Sequence, residues 1–158
     1  MPKISRREFV ESMAVAGAGA CLCGLSGCAT ITGKGNTPEI QPGAYLVEDG
    51  KVRITLNQVK ELANIGGSAK ISDAKLPEPI IIARTGGNQF AAVSIKCPHR
   101  GVEVEYDAAQ QQFRCASIGH SLFDIKGTFI KGPAKKSLTR YSARLGLFDR
   151  DKLIVYLT

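Results

Sequence analysis

The sequence predicts an all-β fold, a small antiparallel barrel or sandwich. Three observations carry this. Short apolar runs recur between turn residues such as Asp49-Gly50 and Gly86-Gly87-Asn88. In the first hairpin, Val52-Arg53-Ile54-Thr55-Leu56 alternates in polarity, as a half-buried strand does. No sustained 3.6-residue periodicity appears after residue 44, which argues against a helical body.

The elements follow in order. Tyr45–Val47 and Val52–Leu56 flank Asp49-Gly50, a tight-hairpin signature, because both turn positions need positive φ. Val59, Leu62 and Ala63 fit one short helical turn before Gly66-Gly67. Ile80–Ala83 and Phe90–Val93 flank a second turn at 86–88. Val102–Tyr106 and Gln112–Arg114 can pair around Asp107–Gln110. Ser142–Phe148 and Leu153–Leu157 close the chain around the charged turn Asp149–Lys152. Residues 44–158 therefore read as one domain, with a less regular stretch at 96–136. No internal repeat and no dinucleotide-binding glycine fingerprint is present.

Composition narrows the chemistry. The 158 residues carry a net charge of +7, with 44% hydrophobic and 22% charged residues, which excludes wholesale disorder. Two histidines cannot furnish several His-rich metal sites, and five cysteines cannot all pair within the chain.

The N-terminus reads as an address rather than a fold. Ser5-Arg6-Arg7-Glu8-Phe9-Val10 resembles a twin-arginine export signal, which carries folded proteins across a bacterial membrane. Leu25-Ser26-Gly27-Cys28 resembles a lipobox, so residues 1–27 are expected to be a signal peptide and Cys28 the lipidated residue. The weakly apolar run Met13–Leu25 is well short of the ~20 residues a spanning helix needs. An uncleaved anchor and a soluble export product are the competing readings. Residues 28–43, with Gly33, Gly35, Pro38, Pro42 and Gly43, read as a lipidated start and flexible tether. Extended, its Thr30–Gly43 part would reach roughly 50 Å at ~3.5 Å per residue.

Both histidines and two cysteines fall within 96–136: Cys97-Pro98-His99, then Cys115 through His120. Each short loop offers one thiolate and one imidazole, a donor set that suits a metal. A Cys97–Cys115 disulfide, as an exported protein could form, is the plain alternative. A zinc site is another, although the spacing is not that of a finger.

This stretch resembles the Rieske iron–sulfur family, whose usual pattern is C-x-H, 15–17 residues, then C-x-x-H. Cys97-Pro98-His99-Arg100-Gly101 resembles its first cluster loop. Phe113-Arg114-Cys115 with Ser121-Leu122-Phe123-Asp124 resembles the second, and Gly132-Pro133-Ala134 the third, covering loop. The resemblance implies a 2Fe–2S cluster, with Cys97 and Cys115 on one iron and His99 and His120 on the other. It makes 96–136 the cluster-binding subdomain and places Ser121, Phe123, Gly132 and Pro133 around the ligands.

Three departures bear on the expectation. The second loop is one residue longer and its histidine is displaced, with Ile118 where the usual ligand falls. The paired extra cysteines of quinol-oxidising members are absent. Phe123 stands where high-potential members have tyrosine, removing a hydrogen-bond donor. Fewer donors imply a potential in the lower part of the range of about −150 to +300 mV. A ring-hydroxylating oxygenase would need a second iron held by two further histidines, and none remain.

The resemblance implies one-electron transfer without an independent bond-making active site. It suggests a subunit or partner of a quinol-oxidising, cytochrome bc-type chain on the outer face of a bacterial membrane. Redox partners would be a cytochrome b or c, with quinol a further candidate. The alternatives are a freestanding or accessory lipoprotein serving a periplasmic oxidoreductase, and a non-redox zinc-binding module. Lys131, Lys135, Lys136, Arg140 and Arg144 form a basic stretch, read either as a solvated face or as a docking surface for an acidic partner or anionic lipid. Nothing aromatic interleaves with it, so no nucleic-acid partner is expected. Arg100, beside His99, replaces an apolar residue of quinol-oxidising members. Tyr106 and Tyr141 read as core or edge residues.

Overall fold

A computed structural model describes residues 33–157. The expected signal peptide and Cys28 lie outside the described residues. Eleven strands form among them, all in antiparallel ladders, with two short 3₁₀ turns at Leu56–Gln58 and Lys60–Leu62. The strands are β1 (Tyr45–Glu48), β2 (Lys51–Thr55), β3 (Ser68–Ile71), β4 (Ile80–Arg84), β5 (Phe90–Ser94), β6 (Val104–Asp107), β7 (Gln112–Cys115), β8 (Leu122–Asp124), β9 (Phe129–Lys131), β10 (Arg140–Leu145) and β11 (Lys152–Tyr156).

Seven of them form one sheet in the order β1-β2-β11-β10-β5-β4-β3. The other four form a smaller sheet, β6-β7-β8-β9, which is the inserted subdomain. The all-β expectation holds, and so does the Asp49-Gly50 hairpin, whose two residues have φ of 50° and 67°.

Two apolar cores form, one on the large sheet and one between its strands β4–β5 and the small sheet. Val52, Ile54, Leu62, Ile71, Ile80, Ile82, Leu153 and Val155 fill the first. Ile81, Val93, Ile95, Val104, Phe113 and Phe123 fill the second, together with Cys97 and Cys115. Adjacent residues Ile80, Ile81 and Ile82 are all fully buried, so β4 is covered on both faces. That explains its unbroken apolar run, since a strand with one solvated face would alternate.

Two sequence expectations need correction in detail. Three strands were not anticipated. β3 has Lys70 at its middle, and β8 and β9 are only three residues each, too short to show alternation. The last hairpin is also shifted, because β10 starts at Arg140 and ends at Leu145, before Gly146.

The flexible-tether reading fails for residues 33–43. Glu39 bridges Lys70, and Ile40 donates its N–H to the Lys70 carbonyl at 2.8 Å. Ile40 is buried in the main core. Closer to the N-terminus, the Gly33 carbonyl accepts the Glu103 N–H at 3.0 Å, and Gly35 donates to a Glu103 carboxylate oxygen at 2.8 Å. Asn36 donates its N–H to Glu105. The segment is a strap laid across both sheets. Its polar composition hid this, because the bonds that seat it are made by its main chain.

Candidate metal centre

The first loop is a tight turn. Gly101 and Arg100 both point N–H groups at the Cys97 carbonyl, at 2.8 and 3.3 Å, and Cys97 donates to the Val102 carbonyl at 2.8 Å. Gly101 takes φ +70°, where a side chain would be strained. These bonds bury Cys97 and leave Pro98 and Arg100 exposed.

The second loop leaves the end of β7, where Cys115 stands opposite Val104 of β6. Val104 in turn donates to the Ile95 carbonyl at 2.7 Å, so the hairpin brings the two cysteine loops side by side. Cys115 donates its N–H to the Ser121 carbonyl at 2.8 Å, closing 116–120 into a loop. Within it, His120 takes φ +40° and donates its N–H to the Ser117 carbonyl at 3.0 Å. The extra length is absorbed as an outward loop with Ile118, Gly119 and His120 exposed.

The third segment closes over the second. The Ser121 hydroxyl accepts the Ala134 N–H at 2.9 Å, and Ser121 is fully buried. Gly132 has φ +114°, and a Cβ there would lie 2.5 Å from the Ser121 Cα. Only glycine permits that approach. A Cβ on Gly119 would likewise meet the Pro133 ring at 2.9 Å, so the loops touch twice. Phe123 is fully buried, and its ring stands edge-on to Phe129 at 6.2 Å.

The structure brings the two thiols together, both buried and free. Burial pushes the Cys97 thiol up, and the neighbouring Cys115 adds to this. The His99 N–H and the Ser121 hydroxyl oppose it. His99 has a buried Nδ1 with no hydrogen-bond partner. Such an atom costs stability unless something accepts its lone pair. His120 is exposed, with Nδ1 3.2 Å from the Cys115 carbonyl. Among the described residues, no group of three or more His, Cys, Asp or Glu side chains converges. A 2Fe–2S cluster would take two protein donors on each iron. Buried free thiols and an orphaned imidazole nitrogen fit the iron–sulfur group.

A family model for the Rieske [2Fe-2S] domain matches residues 53–142, more than half of the chain. The chain belongs to the Rieske [2Fe-2S] family. Its Rieske domain binds a 2Fe–2S cluster and serves electron transfer. Curated relatives include cytochrome b6-f complex iron-sulfur subunit 1 of Nostoc sp. strain PCC 7120 and of Trichormus variabilis. Each is 26% identical over 103 residues, covering 65% of this chain. The chain matches 55% of their length.

Among solved structures, the ferredoxin of carbazole 1,9a-dioxygenase from Nocardioides aromaticivorans IC177 superposes with a TM-score of 0.55 at 18% identity. It covers 70% of this chain and 100% of the ferredoxin, and it supports the fold. The plasma membrane Rieske protein of Synechocystis PCC 6803 gives a TM-score of 0.47 at 26% identity, covering 56% of this chain and 84% of that one.

Sequence reasoning missed Glu103, which fastens strap and subdomain together. Its signal was the alternation Val102-Glu103-Val104-Glu105, which marks a strand edge but does not say what the carboxylates meet.

Proposed function

We propose that this chain carries single electrons at the outer face of a bacterial membrane. Cys97 and Cys115 hold one iron of the cluster, and His99 and His120 hold the other. A bound 2Fe–2S group supplies reversible one-electron transfer without making or breaking substrate bonds. The observation that carries the ligand set is the pairing of two buried free thiols with the unpartnered Nδ1 of His99.

The chain's own residues do the rest. Apolar neighbours Ile95, Val104, Phe113 and Phe123 keep water from the thiols. The second loop carries the His120 imidazole at the surface, where a redox partner can reach it. Ser121 and Gly132 fasten the covering loop.

Export by the twin-arginine route and lipid on Cys28 form part of this proposal. A folded, cluster-bearing domain needs a route that carries folded cargo. No helix among the described residues is long and apolar enough to cross a membrane. The proposed partner is of the cytochrome b/c type, with quinol as a candidate donor; the likeness to b6-f complex iron-sulfur subunits supports the cytochrome.

One observation favours the second reading, a freestanding or accessory lipoprotein. Because the strap is seated from Gly33 onward, only residues 29–32 separate Cys28 from the body. Extended, the step from Cys28 to Gly33 spans about 17 Å. That is a short leash for a head that must shuttle between partners.

The test uses the full chain purified in detergent. Iron and sulfide analysis with EPR should give a Rieske signal, and His120→Ala should abolish it. Zinc without sulfide, or a signal that survives His120→Ala, would overturn the ligand assignment. Co-purification with a cytochrome b separates the two partner readings.

A further inference from the structure

The basic stretch resolves into a definite site on the large sheet. β10 carries Arg140, Ser142 and Arg144 at alternate positions, all exposed on one face. Its ladder with β5 pairs Arg140 with Val93 and Tyr141 with Ala92, then stops. Beyond that point Ser142–Leu145 pair only with β11, and Phe90 and Ala91 pair only with β4. The two edges part, and a cavity of about 490 Å³ opens between them. Lys126, from the turn between β8 and β9, also lines it. Three cations therefore line the cleft, with Asn88, Gln89, Thr85 and Ser142 among the polar groups and no carboxylate. Among the described residues, none of the three is ion-paired.

The spacing selects the ligand. Arg140 and Arg144 stand about 13 Å apart along the strand, at ~3.3 Å per residue. A lone phosphate or carboxylate cannot span them. An extended chain with acids at alternate positions repeats at the same interval as the row on β10. Parted strand edges also offer main-chain hydrogen bonds to an added strand.

We propose that this cleft binds an extended acidic segment of a partner protein, laid along β10 with its carboxylates toward Lys126, Arg140 and Arg144. Ser137, Leu138 and Thr139, which lead into β10, line a second cavity together with Cys97, and that cavity is separate from the cleft. The binding itself does not depend on the ligand assignment.

The experiment measures fluorescence anisotropy of a labelled octapeptide alternating Glu and Thr, titrated with the full chain in detergent. Binding should weaken steeply with salt. Arg140→Gln with Arg144→Gln should weaken it by about tenfold or more, while the equal charge loss Lys60→Gln with Lys75→Gln should change it less than about twofold. If the first pair lowers the thermal midpoint, Arg140→Lys with Arg144→Lys replaces it and should retain binding. A peptide with alternate main-chain nitrogens methylated should bind more weakly than its parent. Equal losses from both Gln pairs would reduce the site to net charge and overturn it. So would equal binding of the methylated peptide, displacement by inorganic phosphate at matched ionic strength, or no binding at low salt.

Discussion

The Lys70 ammonium lies 2.9 Å from a Glu103 carboxylate oxygen, with the two side chains only 11% and 16% exposed. The pair joins β3 of the large sheet to the residue that leads into the cluster subdomain. Glu103 also accepts the Gly35 N–H, so one carboxylate fastens both sheets and the strap. Glu103→Gln leaves the ammonium largely buried and without its counter-charge. The expected loss is about 3 kcal/mol, read as a lower urea midpoint at unchanged slope. Glu103→Leu with Lys70→Met should lose less than Glu103→Gln alone, because neither charge is left stranded.

Gly132→Ala tests the covering loop. The φ of +114° and the 2.5 Å approach to the Ser121 backbone leave no room for a methyl group. We expect a loss of about 2 kcal/mol or more and faster bleaching of the visible absorbance on warming. Unchanged thermal unfolding would mean that the loop does not close on Ser121.

The redox midpoint should lie in the lower part of the range of about −150 to +300 mV. Phe123 offers no hydroxyl, and the His99 N–H and, to a lesser extent, the Ser121 hydroxyl favour the charged form of Cys97. Ser121→Ala should lower the midpoint, and Phe123→Tyr should raise it by adding a donor beside the thiols. Potentiometric titration followed by EPR decides; a wild-type value near the top of the range contradicts this account.

Tyr141 gives an alkaline signature. Burial, together with the Glu78 carboxylate that accepts its hydroxyl at 3.1 Å, pushes its pKa from 10.0 up to about 12. Below pH 10 the hydroxyl is protonated in both folded and unfolded chains, and its contribution to stability is complete. Between 10 and about 12 the unfolded chain loses the proton first, so stability falls as pH rises. Tyr141→Phe should flatten that part of the profile of denaturant midpoint against pH. A slope that persists in the variant would assign it to other groups.

The sequence by itself determined the fold class, four of the nine strand pairs and the family. Those depend on local signals: alternation in Lys51–Thr55, positive-φ turn residues at Asp49-Gly50, and ligand-type residues at fixed spacing in 97–99 and 115–120. Tertiary structure alone decided what lies far apart in sequence. The strap at 33–43 is held by main-chain bonds to Lys70 and Glu103, which no composition reveals. The same holds for Glu103 as a fastening point and for the cationic cleft, since Lys126 and Arg144 converge only where two strand edges separate. Local conformation is encoded by neighbours along the chain. Which polar groups end up facing one another depends on where the sheets place them.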